Sequence, residues 1–234
     1  MAITASQVND LRQRTGISMM ACKKALEEAG GDEEKAIEIL RKKGAAKAAE
    51  KADRAMREGI IVIKTKNNTA VIVKFSCETD FVAKNEEFKA IANKAAETAL
   101  KKGVEDARKE AEPAIKALFA KLGENMAIEV DSIKGDGIGE YLHTNGKVGA
   151  IVNLASKDAE KARDIAMHIT AMNPEVISPE DLPEDVVVKE REIWTEQLKN
   201  EGKPAAIIGR ILEGKEKKFR EEAALIKQSF VKDG

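Results

Sequence analysis

Ile60-Ile61-Val62-Ile63-Lys64-Thr65-Lys66-Asn67-Asn68-Thr69-Ala70-Val71-Ile72-Val73-Lys74-Phe75-Ser76-Cys77 is the stretch on which the fold turns. Both halves are rich in β-branched residues, which fit a pleated, half-buried surface. The paired asparagines between them supply a tight turn. The segment is predicted to be a hairpin, Ile60 to Lys66 and Thr69 to Cys77, entered through Glu58 and Gly59. A period of two places Val71, Val73, Phe75 and Cys77 on one face. Downstream, Asn85 is suited to cap a helix bearing Phe88, Ile91 and Ala95. Pro113 to Leu122 reads as a second helix, with Ile115, Leu118 and Phe119 apolar, and Met126 to Ile133 as a third strand. The class is α+β.

Further along, the pattern returns. Gly137 to His143, a turn at Thr144-Asn145-Gly146, and Lys147 to Ala155 make another hairpin. A helix with Ala162, Ile165, Ala166 and Ile169 follows. Two related α+β lobes with antiparallel strands are therefore expected, at 58–136 and 137–178. The second copy has no obvious counterpart of the helix and strand that finish the first; either the chain is shortened there or the second sheet keeps an open edge that must be covered. Gly135, Gly137 and Gly139 alternate ahead of a strand rather than a helix and read as a turn.

Upstream lies a helical unit at 1–44. Ser6 can cap a helix with Val8 and Leu11 that stops at Gly16. Ser18 can cap a second, with Met19, Cys22 and Leu26 on one face before Gly30-Gly31. A third runs from Asp32 to Gly44 and buries Ile37 and Leu40. Its acids Asp32, Glu33 and Glu34 and its bases Arg41, Lys42 and Lys43 sit at the ends that complement a helix dipole. Three short helices with glycine stops resemble a ubiquitin-associated-type bundle. The Ala/Lys/Glu-rich segment 45–57 reads as a solvated helical linker. At 179–234, Val187, Trp194 and Leu198, then Ile208, Leu212, Phe219 and Ala223, recur at steps of four and seven. This is the spacing of a coiled-coil helical hairpin with a C-terminal tail, and Trp194 reads as part of its packing.

Composition narrows the function classes. Forty Lys and Arg face 41 Asp and Glu over 234 residues, a formal net charge of −1, which argues against a general nucleic-acid binder. Cys22 and Cys77 stand far apart in no metal or redox spacing and read as buried hydrophobes. No stretch approaches a membrane span, and the opening residues lack the blocks of a signal peptide, so the expected location is the cytoplasm.

Catalytic chemistry is not legible. There is no G-x-x-x-x-G-K-[ST] loop to hold a nucleotide, no pairing of nucleophile with base, and no metal cluster, so neither enzyme, cofactor nor metal is expected. His143 and His168 are the two imidazoles; His168, beside Ile169 on a helix, reads as hydrogen-bonded packing. What stands out is Thr79-Asp80-Phe81-Val82, an apolar pair in polar company between a strand and a helix. Two readings are open. Phe81 folds back onto its own lobe, as buried phenylalanines do, or it is an apolar wedge on a loop held by a rigid scaffold.

At these residues the chain resembles the elongation factor Ts family. Leu11-Arg12, Thr15-Gly16, Met19-Met20, Cys22-Lys23-Lys24-Ala25-Leu26, Gly31-Asp32 and Leu40-Arg41-Lys42-Lys43-Gly44 look like its N-terminal signature. Cys77-Glu78-Thr79-Asp80-Phe81-Val82-Ala83-Lys84 looks like its second. Leu122-Gly123-Glu124-Asn125, Ala166-Met167-His168-Ile169 with Pro174, and Gly202-Lys203-Pro204 with Glu213-Gly214 follow in the family's order. The resemblance implies guanine-nucleotide exchange on elongation factor Tu, a P-loop GTPase, in translation elongation. It gives Thr79, Asp80, Phe81 and Val82 the role of dislocating the partner's Mg²⁺. Met20 and Lys23, Met126 and His143 become further partner contacts, although Met20 equally suits the bundle core. An alternative is a helical adaptor that binds a different partner without exchange activity. The family's two-lobed members continue past the segment matching Phe230-Val231-Lys232, so the edge of the second sheet is expected to be covered by the hairpin or by self-association.

Overall fold

β1 (Glu58–Lys66) and β2 (Thr69–Cys77) form the expected hairpin in unbroken antiparallel register, from Glu58 opposite Cys77 to Lys66 opposite Thr69. Asn67 turns the chain at φ 53°, a left-handed conformation that asparagine tolerates. β3 (Met126–Lys134) pairs with the other side of β2, giving the order β1-β2-β3. The central strand is accordingly sealed: Val71, Val73, Phe75 and Cys77 are fully buried. Gly59 is required where β1 begins, because a Cβ there would lie 2.3 Å from the Phe75 carbonyl oxygen. The structure, a computed structural model, describes residues 3–51 and 54–233, with side chains for 3–44 and 54–233. The chain divides into two compact units, Met1–Arg163 and Asp164–Gly234.

The bundle at the N-terminus consists of α1 (Ala5–Thr15), α2 (Met19–Glu28) and α3 (Glu33–Lys51). Thr4, not Ser6, caps α1. Its hydroxyl accepts from Gln7 N–H while the Gln7 side chain accepts from Thr4 N–H, a reciprocal box that Ser6 has no residue to complete. α2 buries Cys22, Ala25 and Leu26 and leaves Met19 exposed, so the packed face is rotated from the expected one. α3 does not stop at Gly44. The strong helix formers after it carry the helix to Lys51, and Gly44 lets α3 approach Ala120, whose Cβ would sit 3.4 Å from an added one. The expected linker thus begins inside α3; positions 52 and 53, and the side chains of 45–53, lie outside the described residues.

One face of the sheet is covered by α5 (Glu86–Lys102) and α6 (Val104–Leu122), after the one-turn α4 (Asp80–Ala83). Asn85 Oδ1 caps α5, accepting from Glu87 and Phe88 N–H at 2.8 and 3.2 Å. Phe88 stacks on Phe75 with centroids 3.9 Å apart. α6 begins at Val104 rather than at Pro113, which sits in its interior. A proline there forfeits one backbone hydrogen bond and costs about 3 kcal/mol. The burial of Ala107 and Ala111 before it and of Leu118 and Phe119 after it offsets that cost.

β4 (Ile138–Leu142) and β5 (Gly149–Asn153) form a separate two-stranded sheet, shorter than expected. His143 N–H donates to Val148 O, one pair beyond Leu142 and Gly149, and Asn153 Oδ1 accepts from Gly137 N–H. Gly146 O accepts from Ile61 N–H at 2.8 Å and so covers part of the β1 edge. Gly135 and Gly137 fall in the β3–β4 connection, which bends at 136–137, whereas Gly139 lies within β4. Added Cβ atoms at 137 and 139 would stand 2.0 Å from Leu154 O and 2.2 Å from the Ala162 carbonyl carbon. Ala162 belongs to α7 (Ala159–Met172).

In the second unit α8 (Glu184–Asn200) and α9 (Ala205–Ala223) form the antiparallel hairpin, burying Val187, Leu198 and Leu212. Trp194 meets Phe219 edge to face at 5.5 Å. His168 is buried and uses both ring nitrogens. Nδ1 accepts from Val231 N–H at 3.2 Å, so Nε2 carries the proton and donates to Gln228 Oε1 at 3.1 Å. The Phe230 ring lies 5.7 Å away.

Candidate functional site

The Thr79–Val82 segment is not an irregular connection. Thr79 is the N-cap residue of α4, and Ala83, Lys84 and Asn85 close the turn by donating to Thr79, Asp80 and Val82 carbonyls. Side chains of a helical turn are spaced by about 100°, so neighbouring residues face different sides. Val82 and Ala83 plug into the core beside Phe75 and Phe88, whereas Phe81 is 81% exposed. The fold-back reading of Phe81 is therefore excluded: its ring stands outside its own lobe. Asp80, on the same outer side, is bonded to Lys84 at 2.7 Å. That hydrogen bond, with the charge it carries, holds the Asp80 carboxyl below its usual value and raises Lys84.

Thr79 faces inward. Its N–H donates to Glu124 Oε2 at 3.0 Å and its hydroxyl to Glu124 Oε1 at 2.8 Å. Asn125 N–H returns to Glu78 Oε1 at 2.8 Å, and Cys77 Sγ donates to Thr79 O at 3.2 Å. Burial pushes the Cys77 thiol up to about 11, helped by the nearby Glu124 and Glu58 carboxylates. The thiol therefore stays a donor at neutral pH. Reading the sequence isolates the four-residue segment but misses Glu124 and Glu78 as its supports. The motif Leu122-Gly123-Glu124-Asn125 was a signal for them, but only pairing of distant segments reveals the contact.

The other candidate residues lie on different elements. Met20 is 64% exposed on α2, which answers its open reading: it is not bundle core. Lys23, one turn further, pairs loosely with Glu27 at 3.9 Å. Met126 opens β3 and lines, with Ile37, Leu40, Met56, Phe119 and Ile128, an apolar cleft of about 1220 Å³. His143 is exposed beside the β4–β5 turn, its Nδ1 3.3 Å from the Tyr141 hydroxyl. Among the described residues no group of three His, Cys, Asp or Glu side chains is placed to hold a metal ion. No helix among them is long and apolar enough to cross a membrane. The arrangement offers a projecting ring on a stiff mount.

Comparison with known proteins bears on what that mount belongs to. The family model described as Elongation factor TS matches residues 78–234, from the first residue of the mount onward. The elongation factor Ts of Vibrio vulnificus strain YJ016 is 48% identical over 234 residues, covering 99% of this chain and 83% of the relative. The chain belongs to the elongation factor Ts family. Two further elongation factor Ts proteins are similar: that of a Nitratiruptor species at 48% over 257 residues, and that of Tolumonas auensis at 43% over 242. They cover 100% and 99% of this chain, and 84% and 82% of their own lengths. As an elongation factor Ts family member, the chain carries in Cys77 to Lys84 the segment its resemblance singled out, held as an ordered helical turn.

Proposed function

We propose that this chain is a guanine-nucleotide exchange factor for elongation factor Tu, and that Phe81 is the wedge through which it loosens bound GDP. The observation that carries the reading is the opposition of neighbours in α4: Val82 anchored in the core, Phe81 outside it. An exposed phenylalanine on an ordered turn gains about 1.5–3 kcal/mol by burial elsewhere. If that burial is available only after the loops around the partner's nucleotide have moved, the gain favours the moved state. Asp80, beside the wedge, brings negative charge near the partner's Mg²⁺ site. Loss of Mg²⁺ leaves the diphosphate charge less compensated, and GDP leaves faster.

One ring is not sufficient. A ten-thousand-fold faster release requires roughly 5.5 kcal/mol of barrier lowering, so further contacts must contribute. Met20 and Lys23 on α2, Met126 at the start of β3 and His143 by the turn are the candidates, each on its own element. Linkage requires that GDP weaken binding of the chain by the factor that the chain weakens binding of GDP. The test is release of a fluorescent GDP from elongation factor Tu, with and without the chain. The parent accelerates release and Phe81→Ala largely loses that effect. A parent chain that binds the partner yet leaves release unchanged would instead indicate an adaptor.

A further inference from the structure

We infer that Glu124, which lies outside the Thr79–Val82 segment, is the positioning residue that holds Phe81 in its presented geometry; the inference rests on the wedge reading above. Thr79 occupies the N-cap position of α4, where a threonine hydroxyl ordinarily accepts a hydrogen bond from the helix N-terminus. Here it makes no such cap. The hydroxyl is turned instead to Glu124 Oε1 at 2.8 Å, while Thr79 N–H occupies Oε2 at 3.0 Å. One carboxylate thus takes both donors of the residue two before Phe81, in charge-assisted bonds stronger than neutral ones. A one-turn helix has no stability of its own, so its direction depends on what grips its start.

The grip comes from a rigid place. α6 ends at Gly123, whose left-handed φ of 73° closes the helix through its N–H to Phe119 O at 2.7 Å. Glu124 is the next residue, and β3 begins at Met126, opposite Cys77. The carboxylate is therefore fixed between a helix stop and a strand start. Asn125 N–H donating to Glu78 Oε1 crosses back over the same gap, so Glu78-Thr79 and Glu124-Asn125 hold one another reciprocally. Cys77 Sγ on Thr79 O adds a hold from the core side. Asp80 and Phe81 are left outward because the groups preceding them are occupied inward.

The experiment measures GDP release from elongation factor Tu over a range of chain concentrations, so that maximal rate and half-saturating concentration separate. The chains are the parent, Glu124→Gln, Glu124→Ala, Thr79→Val, Phe81→Ala and the double variant Phe81→Ala/Glu124→Ala. Amide hydrogen exchange at 78–84 is followed in each free chain. Loss of the clamp lowers the maximal rate roughly tenfold or more and speeds exchange at Thr79 while β2 and β3 stay protected. Glu124→Gln, which keeps one acceptor oxygen, falls between, and Thr79→Val follows it. In the Phe81→Ala background Glu124→Ala has no further effect, because it acts through the ring. Equal slowing in both backgrounds, or parent rates for Glu124→Ala beside a slow Phe81→Ala, overturns the clamp and leaves the wedge standing. Parent rates for Phe81→Ala overturn the wedge, and the clamp with it. Should Glu124→Ala fail to fold, Glu124→Gln and Thr79→Val decide the same question.

Discussion

Phe81 and Val82 are adjacent, similar in hydrophobicity and opposite in environment, so replacing each by alanine separates presentation from packing. Phe81 is 81% exposed and Val82 is 6% exposed. Deleting the Phe81 ring removes almost no contact from the free chain, and the expected change in unfolding free energy is within about 0.5 kcal/mol, as for other surface changes. Deleting two methyl groups at Val82 opens a small cavity under α4 and costs about 1.5–2.5 kcal/mol. In the exchange assay the order reverses. On the proposed wedge role, burial of the Phe81 ring in a partner would be worth about 1.5–3 kcal/mol, which at 1.4 kcal/mol per decade is roughly a 10- to 150-fold expected loss of exchange efficiency. Val82→Ala affects exchange only as far as it loosens α4. Urea unfolding followed by circular dichroism gives the first pair of numbers, and fluorescent GDP release the second. A Phe81→Ala chain destabilised by more than about 1 kcal/mol, or exchanging within twofold of the parent, refutes the reasoning.

Three other outcomes follow from the same physics. The folded Cys77 thiol titrates at about 11 against an ordinary value of 9.0, so folding favours its protonated form. The associated stability is fully present below pH 9 and is lost as pH rises from 9 through 11. Urea midpoints across that range, compared with Cys77→Ala, show the decline, and alkylation at pH 8 is slower than for a free thiol by about 100-fold from the thiolate fraction alone. Gly139→Ala places a Cβ 2.2 Å from the Ala162 carbonyl carbon, forcing β4 and the first turn of α7 apart. A loss of about 2 kcal/mol or more is expected in thermal unfolding, whereas Gly146→Ala meets nothing within 4 Å and is limited by its φ of 67°. His168→Ala abandons two buried hydrogen bonds and a ring contact with Phe230, for about 2–4 kcal/mol. Trp194, the one tryptophan of the chain, reports that loss by fluorescence because it belongs to the same unit.

Local chemistry made much of the architecture legible. The alternation Val71, Val73, Phe75, Cys77 named the buried face of β2 because a strand has a strict period of two. Asn85 announced the start of α5, and the four-and-seven spacing of Trp194, Leu198, Leu212 and Phe219 announced the hairpin. Gly44 and Pro113 are breakers by intrinsic propensity, yet both lie inside helices: strong helix formers follow Gly44, and burial of Ala107, Ala111, Leu118 and Phe119 outweighs a local preference of about 3 kcal/mol at Pro113. The spaced glycines 135, 137 and 139 suggested a turn, and the chain does bend at 136–137, but Gly139 lies in β4, and at 137 and 139 the glycines also mark close passage of other backbone, which no local pattern encodes.

For the candidate site, the sequence by itself determined which residues were available: an aromatic in polar company at Phe81, flanked by a cap residue and a charged pair that close one helical turn. Those are nearest-neighbour properties, set by spacing along the chain. Tertiary structure alone decided that Phe81 points out while Val82 points in, and that Thr79 is held by Glu124, 45 residues away in the chain. The direction of a single helical turn depends on which distant groups occupy its hydrogen bonds, and that choice exists only once β2, α6 and β3 have packed together.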